Sequence, residues 1–174
     1  MTVKGLKILA TLAMAFFMTA LVAPVEAQQG TILGSYRDWD ALVLNRSTGE
    51  KICYMISVPK LKQPSSVTHG DVYIIITLRP RRKVTDEFNL VVAYDFKTGS
   101  EVRGSIGSSR YTLFTEGKKA WSYDQTDDTE IVRGMKRGNT LVMNATSSRG
   151  TNTSYRFSLA GFTAAYNAIT RECS

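Results

Sequence analysis

The chain contains one histidine and two cysteines, and these residues limit the reactive chemistry that the sequence can support. His69 is the one side chain whose ordinary pKa lies near neutrality, so it is the candidate base for a serine nucleophile. It lies in a Pro/Ser-rich segment beside Gly70 and Asp71, which favours the alternative of a solvent-exposed or turn-stabilising histidine. A His-rich or four-cysteine metal site cannot form within one such chain.

A second candidate is a group of acidic residues, Asp124, Asp127, Asp128 and Glu130. Carboxylates are the oxygen ligands that Ca²⁺ prefers, but the spacing lacks the D-x-D-x-D-G pattern of a calcium loop. Together with Asp86 and Glu87 the group offers a glycosidase-like carboxylate pair, although no pattern places these residues together. The same acids suit the N-terminus of a helix. We therefore predict helix capping here, and no catalytic residues, metal or cofactor.

The third candidate is a positively charged run that follows a predicted strand, and it consists of Arg79, Arg81, Arg82 and Lys83. Such side chains bind phosphate or sulfate groups through charge-assisted hydrogen bonds, so the run is a candidate anionic-surface site. The alternative is a solvated loop. Five more cations would enlarge the patch if the fold brought them near: Lys118, Lys119, Arg133, Lys136 and Arg137.

The N-terminal segment has the three-part layout of a secretory signal. A short positive stretch precedes the uncharged apolar run Ile8–Val22, and small residues follow at Val25 and Ala27. A run of this length is shorter than the ~20 residues that span a bilayer. We predict a cleaved signal peptide over residues 1–27, a single domain over residues 28–174, and no transmembrane segment after cleavage.

Predicted export affects both the expected redox state of the two cysteines and the net charge of the mature chain. In an oxidising compartment, Cys53 and Cys173 favour one disulfide, with an intermolecular bond or a reactive thiol as the alternatives. Cleavage removes two lysines and one glutamate from 22 basic and 15 acidic residues, which leaves a net charge of +6. A basic exported protein is drawn to anionic envelope surfaces, or its charge only aids solubility. Export also argues against nucleic acid as a partner.

The elements that must position these residues are mostly strands. Eight or nine short strand patterns, separated by turn signals, predict a β-sandwich. The patterns are Asp38–Asn45, Lys51–Val58, Val72–Leu78, Phe88–Phe96, Glu101–Ile106, Arg110–Phe114, Lys118–Tyr123, Thr140–Thr146 and Asn152–Leu159. The third pattern is so rich in β-branched residues that it predicts a central strand buried on both faces.

Two helices and one loop complete the prediction. Residues Thr129–Lys136 favour a short helix, and a second, amphipathic helix begins after Gly161. The polar segment Pro59–Gly70 is predicted as a loop. Trp39 and Trp121 are expected in or near the core, whereas an exposed tryptophan would indicate a glycan- or protein-binding face.

Several unrelated segments occur in an order that resembles the invasion associated locus B family of exported bacterial proteins. The segments are Asp38-Trp39, Cys53-Tyr54, Gly70–Pro80, Phe96–Val102, Leu113–Trp121, Met135–Met143 and Ser147–Ile169. They cover nearly the whole chain after the signal. Some members carry a cysteine a few residues after the first tryptophan, but residues 40–45 contain none here. Of a family disulfide pattern, therefore, only the pair Cys53–Cys173 remains.

The resemblance implies an immunoglobulin-like β-sandwich, here with a short C-terminal helix, in the periplasm or associated with the outer membrane. It also implies no established enzymatic activity, and the family's named member is linked to invasion of host red cells. We therefore expect an exported, non-catalytic protein whose partner is an envelope or host-surface component, with anionic partners favoured by the charge. The alternative is an envelope hydrolase that uses His69 or the acidic group.

Overall fold

A computed structural model describes residues 30–174, and the predicted signal peptide over residues 1–27 lies outside this range. The described chain forms eleven β-strands and two α-helices, with a 3₁₀ turn at Pro80–Arg82. The strands are β1 Thr31–Tyr36, β2 Trp39–Asn45, β3 Lys51–Ser57, β4 Leu61–Gln63, β5 Val72–Arg79, β6 Val84–Val92, β7 Glu101–Ile106, β8 Ser109–Glu116, β9 Lys119–Trp121, β10 Thr140–Thr146 and β11 Asn152–Ser158. The helices are α1 Gln125–Arg137 and α2 Phe162–Glu172.

All eleven strands form one antiparallel sheet in the order β1-β2-β3-β5-β6-β9-β8-β7-β10-β11-β4. Apolar side chains from both halves of this sheet belong to a single buried cluster. The sheet must therefore fold over on itself so that two layers share one core. This architecture is consistent with the predicted all-β sandwich, and the C-terminal helix is also confirmed.

The strands follow the two-residue period that half-buried strands require. In β5, Val72, Ile74 and Ile76 point into the core with almost no exposed surface. Tyr73 and Ile75, on the opposite face, are only half-buried. Thr77, on the same face, is buried, so the expectation that β5 is buried on both faces holds for only part of the strand.

Both helices form where the sequence favours them, and each covers part of the core. Helix α1 starts four residues before the predicted boundary, because the Asp124 carboxylate caps its first turn and accepts hydrogen bonds from the backbone N–H groups of Thr126 and Asp127 at 2.8 and 3.0 Å. Helix α2 places Phe162 edge-on against the buried ring of Trp39, with 5.0 Å between ring centroids. The expected core position of Trp39 is confirmed, whereas Trp121 is half-buried.

The two strands that the sequence patterns missed, β1 and β4, lie at the two edges of the sheet. Strand β4 falls inside the segment predicted as a loop and pairs with β11 through three residues. Its residues Leu61 and Gln63 are exposed, so no buried apolar pattern marks it as a strand. Pairing with a neighbour that is distant in the sequence creates this edge strand.

A disulfide and an ion pair connect the C-terminal segment to strand β3 of the sheet. Cys53 on β3 and Cys173 after α2 form a disulfide with their Cα atoms 6.0 Å apart, which confirms the predicted pair. Beside it, the Lys51 ammonium lies 2.8 Å from the Glu172 carboxylate. Across residues 30–174, no helix combines the length and apolar character that crossing a membrane requires.

Candidate functional site

His69 is not an exposed histidine, and that part of the prediction was wrong. The side chain is buried, with Nδ1 3.1 Å from the Tyr155 hydroxyl and Nε2 2.9 Å from the Pro64 carbonyl oxygen. Because a carbonyl oxygen only accepts, Nε2 carries the proton and ties His69 to the preceding loop. Neither partner is a serine or a carboxylate, so His69 stabilises the loop and does not complete a catalytic triad.

The His69 contact continues into a buried chain of hydroxyl groups. The Tyr155 hydroxyl lies 3.0 Å from that of Tyr94, which in turn lies 2.6 Å from the Thr153 hydroxyl. Burial, and then the hydrogen bond with Tyr94, raise the pKa of Tyr155 well above its ordinary value. A phenol so strongly disfavoured in its ionised form is a structural group rather than a base.

The acidic residues are divided between the cap of α1 and a contact with the sheet. Asp124 is the cap, and one carboxylate oxygen of Asp128 accepts a hydrogen bond from the backbone N–H of Phe88 at 2.9 Å. Burial raises the pKa of Asp128 despite this bond. In the part of the chain that the structure describes, no group of three or more His, Cys, Asp or Glu side chains is placed to hold a metal ion.

The predicted cationic run forms an anchored turn between β5 and β6, which we call the basic turn (Arg79–Lys83). Arg81 donates to the Thr48 carbonyl at 3.2 Å, and the Arg82 guanidinium lies 3.0 Å from the Glu50 carboxylate. Arg79 pairs with Glu87 at 3.3 Å. The Lys83 side chain has no hydrogen bond or ion pair with any described residue.

The basic turn keeps an excess of positive charge despite these pairs. Its four cations and the neighbouring Arg46 are matched by two carboxylates, Glu50 and Glu87. The Arg82 side chain remains 62% exposed, and Arg81 and Lys83 are also exposed. The fold therefore presents a cationic projection in which Arg81 and Arg82 are held in place by the adjacent β2–β3 turn.

The five additional cations do not lie together: Lys118 and Lys119 are at the start of β9, whereas Arg133, Lys136 and Arg137 are on α1. Lys119 pairs across strands with Val91, at the opposite end of β6 from the basic turn. Lys136 instead lies 3.6 Å from the ring centroid of Tyr166, a residue that shares a 280 Å³ pocket with Lys83. The Tyr166 hydroxyl donates to Asp86, and burial and this bond raise the pKa of the phenol. Arg133 and Arg137 are exposed on α1.

One broad concave surface is a groove that the sequence patterns did not indicate. It has a volume of about 920 Å³ and lies over the outward side of β7, β10, β11 and β4. Most of its lining residues have polar side chains, and two aromatic rings stand at one end, so we call it the polar groove. Its lining residues include Gln63, Glu101, Arg103, Phe114, Tyr123, Asn144, Thr146, Asn152 and Ser154.

Tyr123 is the exposed aromatic of the polar groove, with 56% of its surface accessible. Its hydroxyl donates to the Glu101 carboxylate at 2.9 Å, and its ring lies 5.5 Å from that of Phe114. The hydrogen bond with Glu101 raises the pKa of the Tyr123 phenol, because it favours the protonated form. The ring is therefore held in position before any ligand arrives.

Comparison with known protein families identifies a match. The family model described as "Invasion associated locus B (IalB) protein" matches residues 39–170, which begin at the start of β2 and end within α2. No curated protein and no solved structure matches the chain significantly. The family match spans both the basic turn and the polar groove, and the family is not a known enzyme family.

Proposed function

The chain belongs to the invasion associated locus B family, and on that premise we propose that it is an exported, non-catalytic envelope protein that acts by binding. The signal-like N-terminal sequence supports export to the periplasm or the outer membrane. The Cys53–Cys173 disulfide supports it too, since such bonds persist in oxidising compartments. Host-cell invasion is the role that the family name suggests.

We infer that the basic turn is one of its binding surfaces and that its partner is an anionic envelope or host-surface component. The observation that carries this inference is the exposed excess of cations at Arg81, Arg82 and Lys83, displayed on an anchored turn. Guanidinium and ammonium groups bind phosphate oxygens, and each cation near an anionic membrane contributes roughly 1 kcal/mol. A surface of this kind needs no catalytic group.

The test is sedimentation of the mature protein with vesicles of phosphatidylglycerol or of phosphatidylcholine. We expect binding to the anionic vesicles that weakens as salt is added, because salt screens exposed charges. Changing Arg81, Arg82 and Lys83 together to glutamine removes about 3 kcal/mol of attraction, which weakens binding by roughly 100-fold.

The matched control removes the same charge from exposed positions elsewhere, through glutamine at Arg110, Arg149 and Arg156. It should retain most of the binding, because these residues lie outside the basic turn. Equal losses in the two triple variants would show that net charge, and not the basic turn, attracts the membrane. No binding to anionic vesicles at low salt would rule out the site altogether.

A further inference from the structure

We propose that the polar groove is a binding site for a neutral oligosaccharide. This goes beyond the proposed membrane contact, because the groove lies on β7, β10, β11 and β4 and shares no residue with the basic turn. Asn144, Ser154 and Gln63 would bind sugar hydroxyls, together with Arg103. Tyr123 would lie against the apolar face of a sugar ring.

The floor of the polar groove is a straight row of polar side chains from four neighbouring strands. Asn144 on β10 is paired in register with Arg103 on β7 and with Ser154 on β11, and Ser154 is paired with Gln63 on β4. Strands are spaced by about 4.8 Å, so the row is roughly 14 Å long. That length fits a short chain of sugars better than a single ring.

These four side chains are free to bind a ligand. Within residues 30–174, none of them makes a side-chain hydrogen bond or ion pair. The amides of Asn144 and Gln63 present both donors and acceptors, and the Arg103 guanidinium presents five donors. The Ser154 hydroxyl can both donate and accept a hydrogen bond. A row that mixes donors and acceptors in this way matches sugar hydroxyls, which also donate and accept.

A second set of groups lines the wall of the groove and is already oriented. The Thr146 hydroxyl donates to Oδ1 of Asn152 at 3.0 Å, which leaves the Asn152 amide N–H groups available. Glu101 accepts from Tyr123 through one oxygen, and its second oxygen has no partner in the described chain. Because these side chains are ordered before binding, less conformational entropy is lost when a ligand binds.

The same lining argues against a peptide. Three of the four strands, β7, β10 and β11, are paired on both sides and cannot add an extended peptide as another strand, and the edge strand β4 is only three residues long. The only large apolar side chains of the groove are the two rings of Phe114 and Tyr123 at one end, with the small residues Pro64 and Ala145 elsewhere in the described lining, so it lacks a series of pockets for alternating side chains. Flat apolar rings beside polar groups suit a sugar, whose faces are apolar and whose rim is polar.

The charge of the groove argues for a neutral ligand. Its only charged lining residues in the described chain are Arg103 and Glu101, one of each sign. A strongly anionic saccharide would meet the Glu101 carboxylate as well as the guanidinium. The basic turn, by contrast, has the excess of cations that anionic partners require.

The test titrates the mature protein with maltohexaose, cellohexaose and hexa-N-acetylchitohexaose, and in parallel with hexagalacturonic acid and a random hexapeptide pool. Binding is followed by backbone amide shifts in nuclear magnetic resonance. We expect at least one neutral hexasaccharide to bind and to shift groove residues such as Asn144 and Ser154. Binding of none of the three, or binding only of the acidic sugar or the peptides, would overturn the proposal.

Single variants then locate the site. Asn144→Ala and Tyr123→Ala should each weaken the neutral sugar about threefold to tenfold, the effect of one or two lost contacts. Tyr123→Phe should retain most of the affinity because it keeps the ring. Asn167→Ala on α2 and Arg133→Ala on α1 are exposed controls outside the groove and should bind as the unaltered protein does.

The membrane-binding proposal and the sugar-binding proposal can be refuted independently of each other. Groove variants should sediment with phosphatidylglycerol vesicles as the unaltered protein does, and the triple glutamine variant of the basic turn should keep its sugar affinity. Unchanged urea unfolding midpoints would show that the groove variants fold. An Asn144→Ala or Tyr123→Ala variant that folds and binds the sugar normally would overturn the assignment of the site.

Discussion

The single histidine shows how one buried residue can organise a loop. His69 connects the Pro64 carbonyl, just after β4, with the Tyr155 hydroxyl on β11, and Tyr94 and Thr153 extend the chain of contacts. Buried polar groups contribute to stability only when each has a partner. The ring therefore holds the loop before β5 against the sheet.

We expect Tyr155→Phe to lower the free energy of unfolding by about 1–3 kcal/mol, because the change leaves the buried His69 Nδ1 without this partner. The measurement is urea denaturation followed by circular dichroism. The control is Tyr123→Phe, which removes a hydroxyl from an exposed ring and should change the free energy of unfolding by less than about 0.5 kcal/mol. Equal stabilities of the two variants would contradict the structural role of the buried chain.

At the scale of elements, helix α1 depends on a local signal that the sequence displays. The Asp124 side chain satisfies two backbone N–H groups that the first turn of the helix leaves without partners. The buried face of the helix, at Ile131, Val132 and Met135, then packs on the core. The cap sets where the helix begins, and packing keeps it in place.

Asp124→Ala should therefore destabilise the fold by about 1 kcal/mol, the usual cost of losing an N-cap, whereas Asp124→Ser should restore most of the loss. Thermal and urea unfolding of the three proteins would measure this. If Ala and Ser behaved alike, the effect would come from the lost charge and not from the cap.

The elements also show which parts of the fold are visible in the sequence. The hairpin of β10 and β11 and the helix α2 could be predicted because each depends on local periodicity and turns. The edge strand β4 could not, since its pairing with β11 joins residues far apart in the chain. The polar groove could not be predicted for the same reason. Its row of side chains from Arg103 to Gln63 forms only when four strands pair side by side. The basic turn was visible as charge, but its pairing with Glu50 was not.

At the scale of the whole molecule, the disulfide joins the end of the final helix to β3, an interior strand of the sheet. Cys53 is fully buried on β3, and Cys173 is 120 residues away in the chain. In the chain-entropy model, a closed loop of that size stabilises the fold by about 5 kcal/mol, which is comparable to the total stability of many domains.

Reduction of the disulfide should therefore shift urea unfolding to a much lower midpoint, with a loss of stability of up to about 5 kcal/mol. The measurement compares oxidised and reduced protein, and also a variant with Cys53→Ala and Cys173→Ala. The reduced protein keeps both side chains, so it separates the effect of the bond from that of the cavity that alanine leaves. Coincident unfolding curves for oxidised and reduced protein would contradict this account.

The long separation of the two cysteines also has a consequence for the order of events during synthesis. Any machine that delivers the chain from its N-terminus presents Cys53 together with β2 and β3, long before Cys173 arrives. During that interval the first thiol is available to the wrong partner, including its counterpart on another newly made molecule. Correct pairing thus depends on how quickly the early strands bury the Cys53 thiol. Rapid assembly of the sheet would limit the formation of intermolecular disulfides.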